Sequence, residues 1–96
     1  MRNYEIMYIL KADLDEAGRA NVNVDLAKLI TNNGGTVNKT DESWGLKDLA
    51  YEIKDQKKGY YVILKVSADD KALSQFNRKV KINPNVLRHL IVVDRE

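Results

Sequence analysis

The chain contains no cysteine, one proline, one histidine, one tryptophan and one phenylalanine among its 96 residues. Without cysteine there are no disulfides, thiolate nucleophiles or thiolate metal sites, and a reducing compartment such as the cytoplasm is the default expectation. A single histidine, His89, leaves little for general acid–base or metal chemistry, and on a nearly continuous apolar strand it reads as a hydrogen-bonded structural residue. The apolar run Ile6 to Leu10 is too short for a signal peptide or a membrane span, so no membrane association is expected. What remains is ordinary for a soluble globular protein, at 44% hydrophobic and 31% charged residues, and a chain this long has surface for one core, a single domain over residues 1–96.

Charge is modest in total, at +2, but uneven along the chain. Residues 1–53 hold six Lys/Arg against nine Asp/Glu, whereas residues 54–96 hold ten against five. Arg78, Lys79, Lys81 and Arg88 follow one another with no acidic residue between them, a local field that suits phosphate or simply a solvated face.

Periodicity orders the elements. Tyr4, Ile6, Tyr8 and Leu10 alternate on one face of a first strand, Arg2 to Leu10. Val22, Leu26, Leu29 and Ile30 recur at helical spacing, with Asp13 or Asp15 as cap and Gly34 as stop. A long hairpin follows, from Thr36 through Trp44 to Ile53, with a turn over Lys54 to Gly59 and a return strand from Tyr60 to Val66. In that strand Tyr60, Val62, Leu64 and Val66 take the buried face, and Tyr61, Ile63 and Lys65 the open one. Ser67 with Asp70 reads as a capping box for a second helix carrying Leu73, Phe76 and Val80, which ends by Pro84. Val86 to Val93 forms the last strand, where Arg88 and His89 point to opposite faces. The order is β-α-β-β-α-β, the α+β ferredoxin-like arrangement of a four-stranded antiparallel sheet with two helices on one face.

Each candidate for chemistry has a plainer reading. Asp13, Asp15 and Glu16 sit where a helix start favours negative charge. Gly34 and Gly35 follow a helix, so they cannot form a phosphate loop backed by a helix N-terminus. Lys58, Gly59, Tyr60, Tyr61, Val62 and Ile63 partly mimic the basic-Gly-aromatic run of RNA-recognition-motif domains, but Tyr61 stands where Gly or Ala belongs and Val62 where an aromatic should stack. The run reads as a turn glycine followed by sheet-packing tyrosines.

Three stretches taken together resemble the ribosomal small-subunit protein six family over nearly the whole chain. They are Met1, Arg2, Asn3, Tyr4, Glu5, Ile6, Met7, Tyr8, Ile9; Trp44, Gly45, Leu46, Lys47, Asp48, Leu49, Ala50, Tyr51, Glu52, Ile53; and Lys81, Ile82, Asn83, Pro84, Asn85, Val86, Leu87, Arg88, His89, Leu90, Ile91, Val92. Asp48 departs from the family, which usually has a second basic residue there, and the chain stops at Glu96 where the family often extends. The resemblance implies a non-catalytic protein of the small ribosomal subunit, without cofactor or small-molecule substrate. It further implies joint binding to the central domain of small-subunit ribosomal RNA with the small basic ribosomal protein eighteen, a partner that would supply much of the phosphate-neutralising charge. Arg2, Lys47, Lys54 and Arg88 are then the expected RNA contacts, and Trp44, Tyr51 and Tyr61 the expected partner contacts. The alternatives on this fold are an acylphosphatase-like enzyme and a ligand-sensing regulatory module.

Overall fold

A computed structural model describes residues 2–94; Met1 of the opening motif and Glu96 lie outside the described residues. Six elements follow in order: β1 (Arg2–Lys11), α1 (Glu16–Thr31), β2 (Thr36–Ile53), β3 (Gln56–Ala68), α2 (Asp70–Lys81) and β4 (Val86–Val93). The strands form one antiparallel sheet in the order β2-β3-β1-β4. This is the β-α-β-β-α-β arrangement that the apolar periodicity predicts.

Alternation decides what is buried. Tyr4, Ile6, Tyr8 and Leu10 of β1 and Val62, Leu64 and Val66 of β3 meet Val22, Leu26 and Ile30 of α1 and Ala72, Phe76 and Val80 of α2 in one apolar cluster. Both helices begin on a carboxylate. Asp15 accepts from the Gly18 N–H at 2.6 Å, and Asp69 accepts from the Ala72 N–H at 3.0 Å, each satisfying a donor that the first turn leaves orphaned. The second cap corrects the Ser67–Asp70 reading. Ser67 still belongs to β3, where its hydroxyl donates to Asn3 Oδ1 at 2.7 Å. After α1, Gly34 takes φ +86°, a conformation in which a side chain would be strained.

The hairpin differs most from expectation. Its turn is only Lys54 and Asp55, both at positive φ (49° and 65°), the two-residue geometry whose twist matches that of paired strands. Gly59 therefore lies inside β3, opposite Lys11 and Lys47, rather than in the turn. Eighteen residues of β2, Thr36 to Ile53, run beside twelve of β3, Gln56 to Ser67, with three shifts in register. The surplus arches β2, because each extra unpaired residue bends its strand and adds twist.

Gly59 makes room for that arch. A Cβ built there would stand 2.3 Å from Ile9 Cγ2 and 3.3 Å from Leu49 Cδ2, so the empty position lets Leu49 and Ile9 close over the strand. Gly59→Ala is expected to destabilise the protein by about 1–3 kcal/mol, the usual cost of overpacking. Urea denaturation measures this, and an unchanged midpoint would show that Ile9 and the hairpin arm move aside freely.

Candidate nucleic-acid and partner interface

The helices cover the face that carries Tyr4, Ile6 and Tyr8, leaving the alternate residues on the other side. That side brings Met7, Ile9, Tyr61, Ile63 and Lys65 together with Arg88, Leu90 and Val92, through the registers Met7↔Ile63, Ile9↔Tyr61, Met7↔Leu90 and Ile9↔Arg88. Although helix-free, it is not fully wet. Ile9 and Ile63 are buried there, which explains why β1 and β3 read as nearly continuous apolar runs instead of strict alternation.

The curling hairpin delivers the remaining candidates to this face. Trp44 and Tyr61 stack with ring centroids 6.0 Å apart, and the Lys47 ammonium lies 4.5 Å from the Trp44 ring centroid, a favourable placement of a cation over a negative π face. Nearer the turn, Tyr51 crosses to β4. Its hydroxyl accepts a hydrogen bond from Arg88 Nη1, and the guanidinium sits 5.6 Å from its ring centroid. Lys54 Nζ donates to the Val86 carbonyl at 3.3 Å, so two side chains of the hairpin tip are tied to the far strand. Between these groups lies an open groove of about 430 Å³ lined by Met7, Ile9, Tyr61, Arg88, His89 and Leu90.

Six of the seven expected contact residues thus share one surface: Lys47, Lys54, Arg88, Trp44, Tyr51 and Tyr61. Arg2 does not join them. It shares the strand parity of Tyr4 and borders a separate hollow with Tyr4, Ala68, Asp69 and Asp70, beside the start of α2. Asp48 faces Lys58 across the hairpin at 3.9 Å. The apolar floor formed by Met7, Ile9, Ile63 and Leu90 was not among the expected site residues. Its signal was the filling of both parities in β1 and β3.

Two polar side chains serve the fold, the buried Tyr8 and the half-buried His89. The Tyr8 hydroxyl donates to Asn23 Oδ1, and Asn23 Nδ2 donates to Glu42 Oε1 at 3.0 Å, linking β1, α1 and β2. Burial, then the charge of Glu42, pushes the Tyr8 hydroxyl pKa well up, so it stays a donor. His89 Nε2 lies 2.6 Å from Asn77 Oδ1. Desolvation, then the Lys81 charge, lowers its pKa and favours neutral imidazole.

Residues 3–93 match the family described as Ribosomal protein S6. The chain belongs to the ribosomal protein S6 family. It is 46% identical over 96 residues to the small ribosomal subunit protein bS6 of Shouchella clausii (strain KSM-K16), with the whole of both chains covered. The crystal structure of 30S ribosomal protein S6 from Thermotoga maritima superposes with a TM-score of 0.89 at 26% identity, covering 97% of this chain and 87% of that one. Ribosomal protein S6 is a component of the small ribosomal subunit, and RNA binding and translation are the context of the family. The four-stranded sheet with two helices on one face is that of the S6 structure. Among the described residues, no helix is long and apolar enough to cross a membrane.

Proposed function

We propose that this S6-family chain works without catalysis, binding the central domain of small-subunit ribosomal RNA jointly with the small basic ribosomal protein eighteen, on ribosomes in the cytoplasm. The observation that carries this reading is the convergence of Lys47, Lys54 and Arg88 with Trp44, Tyr51 and Tyr61 on the helix-free side of the sheet. Exposed aromatic area beside cations suits an interface that meets protein and phosphate together. Trp44 and Tyr51 are 46% and 58% exposed, more apolar area than a surface in contact with water alone would favour. RNA would be recognised through shape and backbone, because few planar groups are placed to read bases.

An acylphosphatase-like activity fits the site less well. Both helix N-termini carry a capping carboxylate, Asp15 and Asp69, where an anionic substrate would need bare N–H groups.

Titration of central-domain RNA with each protein alone and with both together tests the proposal. This chain alone should bind weakly, and the basic partner should tighten its binding about tenfold or more, within the usual range of coupling between sites. Equal affinity with and without the partner would overturn joint binding.

A further inference from the structure

The sheet has two outer strands, β2 and β4, and they are guarded unequally. β2 carries Lys39, Asp41, Glu42, Lys47, Asp48 and Glu52 and three shifts of register, devices that keep an edge from accepting another strand. From His89 to Val93, β4 has no Lys, Arg, Asp, Glu or Pro, and its register shift lies at the other end, beside Leu10. Leu90, Val92 and Val93 are 55%, 43% and 48% exposed. The Asp94 N–H donates to the Asn3 carbonyl at 2.9 Å, which sets the phase of the β1–β4 ladder. By the alternation of antiparallel pairs, Val92, Leu90 and Arg88 also bond toward β1, whereas His89, Ile91 and Val93 direct their N–H and C=O groups outward.

This edge is complementary to itself. A second β4 laid antiparallel, with Ile91 against Ile91, sets His89 against Val93 at either side, so every outward-facing residue of the stretch exchanges backbone hydrogen bonds. On the helix-free face Leu90 then stands opposite Val92 of the other copy, in the non-hydrogen-bonded pairs where side chains approach most closely. Beyond them Arg88 stands opposite Asp94 at both ends, a favourable pair of opposite charges. Asp94 also lies 4.0 Å from Lys65 of its own chain, and a carboxylate has acceptor sites for both cations. Sliding the strands two residues toward Arg88 sets that cation against Val92 and draws the irregular end of β4 into the ladder.

The helix side agrees. An open groove of about 400 Å³ separates β4 from α2, with Leu73, Ser74 and Asn77 on the helix and Asp70 as its one charged residue. Asn77 meets His89 at 2.6 Å. Ile91 lies two strand residues on, about 6.6 Å, which is about four residues back along the antiparallel helix and brings it level with Leu73. A two-fold axis at Ile91 therefore joins the grooves of two copies with apolar Leu73 and Ile91 at their junction. Arg78 and Lys81 lie toward the far end of α2 and are sent to opposite ends of the pair, with like charges about 15–24 Å apart along the helices, beyond the screening length of about 8 Å.

We propose that the free chain dimerises about this two-fold axis, joining the β4 strands of two copies into one continuous sheet. The contact is confined to His89–Val93, the Arg88–Asp94 pairs and one flank of α2, so the dimer is weak, with a dissociation constant of about 10 μM to 1 mM. Arg88 and Leu90 also line the groove on the face proposed for RNA and partner. On that reading the dimer is the form of the unassembled chain and gives way on assembly.

Sedimentation equilibrium of the full chain up to about 1 mM should show a monomer–dimer equilibrium, and NMR amide signals of His89, Ile91 and Val93 should move with concentration. Val93→Pro deletes an outward N–H that the β1–β4 ladder does not use, at a place where an edge strand tolerates proline. It should weaken dimerisation about tenfold or more, with little change in the melting of the dilute protein. Arg88→Asp and Asp94→Arg should each weaken the dimer, and the double variant should restore it. A chain that stays monomeric, a dimer indifferent to Val93→Pro, a double variant no tighter than either single one, or concentration-dependent shifts confined to Trp44, Tyr51 and Tyr61 would overturn the proposal. RNA titrations run below about 1 μM chain read the monomer alone, so the assembly reading and the dimer fail separately.

Discussion

Phe76→Ala is expected to remove about 3–5 kcal/mol of stability, the usual range for truncating a buried aromatic. Phe76 is fully buried midway along α2, between Ala72 and Val80, and belongs to the cluster joining both helices to β1 and β3. Ala72 on the same stripe is too small to expand into the void, and the tyrosines and branched residues around it are held by strand pairing, so collapse would be incomplete. Total stability for a chain of this size is about 5–15 kcal/mol, and the loss is therefore a large share of the whole. Urea denaturation should show a lower midpoint with an unchanged slope, since the surface exposed on unfolding hardly differs. Ser74→Ala on the exposed side of the same helix provides the contrast and should shift the midpoint little. A Phe76→Ala loss below about 1 kcal/mol would mean that α2 is not docked as described.

The same periodicities explain what could be foreseen. A buried face with period two fixes strand register strongly, so the inward set of β1 and β3 was legible from Tyr4, Ile6, Tyr8 and Leu10 and from Val62, Leu64 and Val66. Helix faces were equally plain. Caps were less so, because Ser67, Asp69 and Asp70 are all good N-caps and only the end of β3 decides among them. The arch of β2 had no sequence signal of this kind. Its surplus residues fall at Asn38, within 42–44 and within 49–52, short stretches that carry no regular period, and two-residue turns are usually marked by Gly or Asn rather than by Lys54-Asp55.

The candidate site divides in the same way. Arg88 stands out as a charge in an apolar strand, and an exposed face follows from that alone. Its partner does not. Tyr51 is 37 positions away in sequence, and the two meet only because the hairpin crosses over β3 and β1. An ion pair from Arg88 to Glu5 is excluded by register: Arg88 faces Ile9, while Glu5 faces Val92 and Lys65. The separation of Arg2 was legible in principle, since an even position two residues before Tyr4 shares the helix-covered side.

Arg88→Glu is expected to weaken assembly onto central-domain RNA with the partner by about 10- to 100-fold, or about 1.4–2.8 kcal/mol. A guanidinium carries five N–H donors, and the hydrogen bond to Tyr51 uses Nη1 alone, so donors remain for phosphate while Tyr51 holds the group in place. Reversing the charge would remove the proposed phosphate contact and add repulsion, which should reduce the slope of log affinity against log salt by about one or more. The internal loss is small by comparison. Arg88 and Tyr51 are both exposed, and interactions of that kind contribute about 1 kcal/mol or less. Tyr51→Phe separates positioning from contact: it keeps the ring under the guanidinium, deletes the hydrogen bond, and should weaken assembly less than Arg88→Glu with no change in salt slope. Thermal melting run beside the binding titrations decides between the two roles. An Arg88→Glu protein that melts early yet, below its melting temperature, binds RNA and partner with the original affinity and slope would make Arg88 a latch for the hairpin and not a phosphate contact.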